Sequence, residues 1–161
     1  MSDTPAIIRR AVPSDLPTLG LFGDSLLRLH FSFDPRRFMA PHDDTAEGYA
    51  WFLGEELLNP DVAVFVAEQD GVVAGYVYAG VEEQNWRELR EAAGFIHDVV
   101  VAPGARAHGI GAQLIDAASA WCRERGMPRV LLWVAEQNAG AQRLFDRAGF
   151  RRTMVEMTRE L

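Results

Sequence analysis

Apolar residues recur along this chain at two periods, and the switches between them mark its elements. Residues 7–11 read as a short strand leading into Pro13-Ser14-Asp15, where Ser14 or Asp15 can cap a helix running to about His30. Leu16, Leu19, Phe22, Leu26 and Leu29 lie on one stripe of that helix. Residues 31–42, with Pro35 and Pro41, read as a loop. Tyr49, Phe52, Leu53, Leu57 and Leu58 then predict a second helix over 44–58, ended by Asn59-Pro60-Asp61. The period next falls to two. Residues 62–68 predict a strand, Asp70-Gly71 a hairpin turn, and residues 72–80 the returning strand. Residues 81–93 are polar and acidic, a loop or a short helix. Residues 95–101 are the most β-prone of the chain and stop at Pro103-Gly104.

A helix is expected over 109–125, with Ile110, Leu114, Ala117, Ala118 and Trp121 on one face, followed by a strand over 130–135. Asn138 can cap a short helix that Gly149 closes, with Phe150 as hydrophobic partner, and residues 151–159 alternate as a final strand. Strand, two helices, a three-strand meander, helix, strand, helix, strand: this order predicts an α+β (mixed α/β) fold rather than a doubly wound parallel sheet. No repeat or linker divides the chain, so 161 residues are expected to form one domain.

Composition narrows the functional classes. Hydrophobic residues at 48% and charged residues at 24% match a globular protein. Sixteen basic residues face 23 acidic ones, a net charge of −7, and every basic one is arginine. That balance argues against a nucleic-acid partner or a polybasic membrane surface, because counterion release needs clustered positive charge. It keeps a protein soluble and mildly favours cationic partners. The single Cys122 excludes an intrachain disulfide and a thiolate-rich zinc site, and fits a reducing compartment. His30, His42, His97 and His108 lack metal-ligand spacing, so no metal is expected. Met1 to Pro5 lacks the build of a signal peptide, and no apolar run approaches the ~20 residues of a membrane span. No membrane association is expected, and the location is read as cytoplasmic.

The chemistry concentrates between Val99 and Ala112. A strand ends there, and a glycine-bearing loop turns directly into a helix N-terminus. Orphan amides at such a terminus, with the positive end of the helix dipole, suit a phosphate or pyrophosphate. Gly109 and Gly111 leave the backbone open to it, while Arg106 and His108 add charge nearby. A P-loop needs lysine and then Ser or Thr after its second glycine, where Ile110-Gly111 stand. A dinucleotide fingerprint needs a third glycine where Leu114 stands. Both readings fall.

Arg106-x-x-Gly109-x-Gly111, after a strand and opening a helix, resembles the acyl-CoA loop of the GNAT superfamily of N-acetyltransferases. The resemblance runs over about residues 7–161. Ile7-Arg9-Ala11 with Asp15-Leu16 looks like the family's first strand and helix, and Asn138-x-x-Ala141-x-x-Leu144-Phe145-x-x-Ala148-Gly149-Phe150 like its last helix and turn. It implies a strongly twisted mixed sheet of six to seven strands with about four helices, splayed between the fourth and fifth strands to admit acetyl-CoA as co-substrate. By resemblance, backbone groups of Val99, Val100 and Val101 meet the pantetheine arm. Amides of Arg106, Ala107, His108, Gly109, Ile110, Gly111 and Ala112 hold the pyrophosphate, and Asn138, Ala141 and Phe145 line the other side. A strand edge opened by splaying offers unpaired N–H and C=O groups to amide-like pantetheine, so the physics agrees.

Acetyl transfer needs a neutral amine, a donor for the thioester oxyanion and a route for the leaving thiolate's proton. His97 is the expected base, from its position on the fourth strand and its unperturbed pKa of ~6.5; a histidine bonded within the sheet is the alternative. The backbone N–H of Val99 is expected to polarise the carbonyl. Asp98 would point to the opposite face of a regular strand, orienting neighbours or attracting a cation. Phe145 departs from the family, which most often carries a proton-donating tyrosine there. Water, Tyr76 or Tyr78 would have to substitute, or the thiolate leaves unassisted. Cys122 reads as core, and Trp51, Trp86, Trp121 and Trp133 as packing, although Trp86, Glu82 and Glu83 fall near the expected substrate mouth, where the two glutamates read as a solvated loop, with attraction of a cationic amine as the alternative. The expected reaction is direct transfer from acetyl-CoA to a primary amine, on a small molecule or a protein N-terminus or lysine. The resemblance also allows a homodimer. The competing reading is a module that senses acyl-CoA without turnover.

Overall fold

The hairpin expected at Asp70-Gly71 sets the register of the sheet. Both residues take positive φ, 53° and 76°, as a tight primed turn requires. There β2 (Val62–Gln69) folds back antiparallel on β3 (Val72–Glu82). A computed structural model describes residues 4–161; residues 1–3, part of the segment read as lacking a leader, lie outside that description. β1 (Ile7–Arg10) pairs antiparallel with β2, β4 (Ala93–Val101) antiparallel with β3, and β5 (Val130–Leu132) parallel with β4. The order β1-β2-β3-β4-β5 makes one mixed sheet.

Helices cover both faces. α1 (Leu16–Phe33) and α2 (Thr45–Glu56) bury Leu19 and Leu53 against Val62, Val64, Val66, Tyr76 and Tyr78. α3 (Ile110–Glu124) buries Ile110, Leu114, Ile115 and Ala118 on the other face, beside α4 (Ala139–Arg147). Fully burying one such aliphatic side chain is worth about 1.5–3 kcal/mol, so these two layers hold the helices. α1 and α2 touch closely because glycine stands at Gly20, against Ala46 and Ala50, and at Gly23, against the Tyr49 ring. Asp15 stands at the N-cap of α1, as expected, but its side chain makes no cap hydrogen bond to the helix. It sits in a 3-10 turn, Pro13–Asp15, buried, accepting the Val12 N–H at 2.8 Å and both Arg9 terminal nitrogens at 2.8 and 2.9 Å.

Three expectations are corrected. The sheet has five strands, not six to seven. Residues 151–159 form no strand: Met154 and Val155 are adjacent apolar residues that break the alternation, and the segment stays exposed. Its polar groups go to side-chain partners instead, in Arg37–Glu156 and Arg152–Gln142, and Glu160, just past the segment, pairs with Arg36. β5 spans three residues rather than six, because its pairing with β4 ends at Ile96–Leu132. The polar 81–93 segment is a short tip in which Asn85 and Arg90 exchange backbone bonds of 2.9 and 3.2 Å.

Candidate active site

Past Ile96 the fourth strand runs on to Val101 with no partner on its β5 side, which is the splay expected between these strands. The Ala102 N–H bonds to Ala74 on β3 at 2.8 Å. By alternation, the N–H groups of Val99 and Val101 therefore face the open gap, whereas that of Val100 faces β3, which corrects the expectation that its backbone meets the pantetheine arm. The loop then turns with Ala107 and Gly109 at φ 66° and 76°. Two left-handed residues this close make a concave run of amides, the shape that cradles anions. Arg106, Ala107, His108 and Gly109 are exposed, while the Ile110 side chain is buried, so only its amide is available. The first amides of α3, from Ile110 to Ala112, have no partner within the helix. Arg106 Nε bonds the Val101 carbonyl at 3.2 Å, which ties the loop to the strand end. Asn138 caps α4 by accepting the Ala141 N–H at 3.1 Å. Gly149 (φ 90°) closes that helix, with the Phe150 N–H reaching the Phe145 carbonyl at 3.0 Å.

A β-bulge decides how the fourth strand presents its acid and base. Tyr78 opposes Asp98 and Ala79 opposes Ile96, so His97 has no partner on β3. The extra residue turns His97 and Asp98 to the same face, correcting the expectation that Asp98 points away. His97 stacks on Phe95 with centroids 4.9 Å apart and lies 4.7 Å from the Tyr78 ring. Its side chain is 32% exposed, with Nε2 3.9 Å from Glu82 Oε1. Burial holds the imidazole below its ordinary pKa, against the opposing pull of Glu82 and Glu56. It is therefore neutral near pH 7 and able to take a proton. Burial pushes the Asp98 carboxyl up to about 7. The Tyr76 hydroxyl lies 3.2 Å from Asp98 Oδ2 and also 3.2 Å from the Tyr49 hydroxyl.

One cleft of about 360 Å³ joins these parts. Ile96, Val99, Leu132, Asn138, Ala141 and Phe145 line it on the side of the gap. Gly23, Leu26, His30, Arg37 and Tyr49 line it on the side of α1 and α2, with His97 and Asp98 between. A smaller cleft of about 280 Å³ lies across His97, lined by Glu56, Asp61, Tyr78 and Glu82.

The expected substitutes for a tyrosine at position 145 do not line the large cleft. Tyr76 is fully buried, and Tyr78 donates to Glu56 at 2.6 Å. Tyr49 does line it, but in the sequence it registers only as one member of a helical apolar stripe. Cys122 is buried, with burial raising its thiol to about 11, as a core cysteine should be. The tryptophans divide. Trp121 is partly buried under Arg125, whereas Trp51, Trp86 and Trp133 are 71%, 80% and 72% exposed, which overturns the packing expectation for those three. Trp133 edges onto Phe95 and lines the cleft. Glu82 is not merely solvated, since Arg90 pairs with it beside His97. Among the described residues, no group of three or more His, Cys, Asp or Glu could hold a metal, and no helix is long and apolar enough to cross a membrane.

Comparison with known proteins agrees with this geometry. The acetyltransferase (GNAT) family model matches residues 24–150. An uncharacterised N-acetyltransferase of Methanocaldococcus jannaschii is 34% identical over 100 residues, 62% of this chain and 44% of that protein. Streptothricin acetyltransferase of Streptomyces lavendulae is 32% identical over 142 residues, 88% of this chain and 61% of that one. The chain thus spans about half the length of these relatives. An aminoglycoside N-acetyltransferase in complex with CoA superposes with a TM-score of 0.77 at 19% identity, covering 99% of this chain and 97% of its own, which shows a shared fold. With a family match across most of its length, on a sheet splayed behind an amide-lined loop, the chain belongs to the GNAT acetyltransferase family.

Proposed function

We propose that this protein moves the acetyl group of acetyl-CoA to a primary amine by direct attack in a ternary complex. The observation that carries the reading is the single cleft running from the β4–β5 gap to His97 and Asp98, since both substrates must meet in one space. The residues present fit CoA. Amides of the 106–112 loop suit its pyrophosphate, and the Val99 and Val101 amides suit its pantetheine. Bound there, the cofactor supplies an activated thioester. Asn138, Ala141 and Phe145 form the opposite wall. The Val99 N–H is placed to polarise the thioester carbonyl, as an oxyanion donor must.

His97, neutral near pH 7, takes the proton of the incoming ammonium. A cleft of about 360 Å³ suits a small-molecule acceptor. The carboxylates of Glu56, Asp61 and Glu82 across His97 favour a cationic one. Streptothricin and an aminoglycoside are therefore the first acceptors to try, with a protein N-terminus or lysine next; metal, nucleic acid and membrane have no place in the scheme. A homodimer remains compatible with it, and a reducing, cytoplasmic setting with the single buried cysteine. Thiol release from acetyl-CoA with these amines tests the proposal. A second reading, an acyl-CoA-binding regulatory module, draws on Phe145, which lines the cleft and cannot donate a proton. Tight CoA binding with no thiol release would favour it.

A further inference from the structure

The proposed transfer leaves the thiolate without a proton donor at position 145, and the cleft wall offers another. Among the described side chains lining the cleft, Tyr49 alone carries a hydroxyl. Of the other proton-bearing groups there, His30 Nδ1 lies 2.8 Å from the Leu26 carbonyl, Arg37 is paired with Glu156, His97 serves as the base and Asp98 is bonded to Tyr76, while the N–H groups of Asn138 and Trp133 are too weakly acidic to give up a proton. The Tyr49 ring is fixed from two sides. It rests on Gly23, where any side chain would collide with it, and against Phe52 with centroids 5.8 Å apart. Behind it the Tyr76 hydroxyl connects it to the Asp98 carboxyl, at 3.2 Å in each direction.

Tyr76 has one proton and two acceptors, so the state of Asp98 sets the direction of the chain. With Asp98 ionised, Tyr76 must donate to the carboxylate, and Tyr49 donates to Tyr76. With Asp98 protonated, the carboxyl donates to Tyr76, Tyr76 donates to Tyr49, and the proton of Tyr49 is free to face the cleft.

We propose that Tyr49 is a catalytic residue that protonates the departing CoA thiolate and is reloaded by Asp98 through Tyr76. The inference rests on the acetyl-transfer reading above. The transfers balance. As the carbon–sulfur bond breaks, the sulfur takes the electron pair and the Tyr49 proton. Tyr76 passes its proton to Tyr49, and Asp98 passes its own to Tyr76. Asp98 is left as a carboxylate until it regains a proton from the His97 imidazolium beside it or from solvent, and the freed His97 imidazole, or solvent, takes the second proton that the nitrogen loses as the amide forms. The titratable groups around Asp98 are Tyr76 from β3, Tyr49 from α2 and His97 on its own strand, with His30 and Arg37 sharing the cleft. Glu56 and Glu82 act on His97. Because burial raises Asp98 to about 7, about half of the carboxyls carry the proton at neutral pH, and it is lost in alkali.

The test measures thiol release by wild type, Tyr49→Phe, Tyr76→Phe, Asp98→Asn and His97→Ala across pH, with acetyl-CoA and the best acceptor among kanamycin, streptothricin, spermidine and a lysine peptide. Tyr49→Phe should lower kcat by about ten- to a hundredfold, with KM for acetyl-CoA unchanged. The fall of kcat in alkali should vanish in Asp98→Asn. Tyr76→Phe, which removes one oxygen behind the cleft, should reproduce the loss. With the acetyl ester of an aromatic thiol, whose thiolate leaves unprotonated, Tyr49→Phe should match wild type. A wild-type kcat and pH profile in Tyr49→Phe or Tyr76→Phe would overturn the relay, while a loss in His97→Ala alone would leave the transferase reading standing. Absence of wild-type turnover with every amine would overturn both.

Discussion

Replacing Gly23 by alanine places a methyl group where the Tyr49 ring lies, and this joins the helix packing to the chemistry. The new Cβ would stand 2.5 Å from Tyr49 Cε1 and closer still to Cδ1 and Cγ. Carbon atoms in contact sit about 3.5–4.0 Å apart, so the ring must withdraw by at least about 1 Å. Overpacking of this kind costs about 1–3 kcal/mol, set against the gain of about 1 kcal/mol when alanine replaces glycine inside a helix. Gly48, on the exposed side of α2, isolates that gain, because nothing lies within 4 Å of its added Cβ. Gly48→Ala should therefore raise the unfolding midpoint, and Gly23→Ala should fall below it by roughly 3–10 °C for a chain of this size. Thermal unfolding followed by circular dichroism reads both. The same displacement pulls Tyr49 from Tyr76, so Gly23→Ala should also lose kcat while Gly48→Ala keeps it. A Gly23→Ala protein as stable and as active as Gly48→Ala would refute the packing of Tyr49 on Gly23 and its place at the cleft.

Other perturbations probe separate parts. His97→Ala should lower kcat/KM for the amine most near neutral pH and recover partly in alkali, where the amine is already deprotonated; an unchanged profile removes His97 as the base. Gly109→Ala should cost about 1 kcal/mol through its left-handed φ of 76° and weaken CoA binding measured by calorimetry. Asp98→Asn should stabilise the fold most above pH 7, because a carboxyl raised to about 7 carries an ionisation penalty absent below its unfolded value near 3.9, growing from there and complete above 7. The Arg9 hydrogen bond holds Asp15 below the ordinary carboxylate range. Its contribution is full above the unfolded pKa and is lost as pH falls through the lower folded one, so Asp15→Asn should flatten acid unfolding followed by fluorescence.

The sequence exposes what is decided by neighbours in the chain. The 103–112 loop, the Asn138 cap and the Gly149 stop are local chemistry, and each forms where its residues predict. The faces of His97 and Asp98 are not local. They follow from an extra residue on β4 relative to β3, which no alternation within β4 reveals. Tyr49 shares its helical stripe with Phe52 and Leu53, and only the approach of α1 through Gly23 turns it from a packing residue into a wall of the cleft. The 151–159 segment carries strand-like residues, yet the ion pairs of Glu156 and, just past the segment, Glu160 with the loop after α1 hold it apart from β5.

The central claim is tested most directly by incubating the protein with acetyl-CoA and a panel of amines while following free thiol and product mass together. The geometry predicts one CoA thiol released for each acetyl group gained by the amine, with the rate lost in His97→Ala near neutral pH. Tight binding of acetyl-CoA with no thiol released across the panel would contradict it.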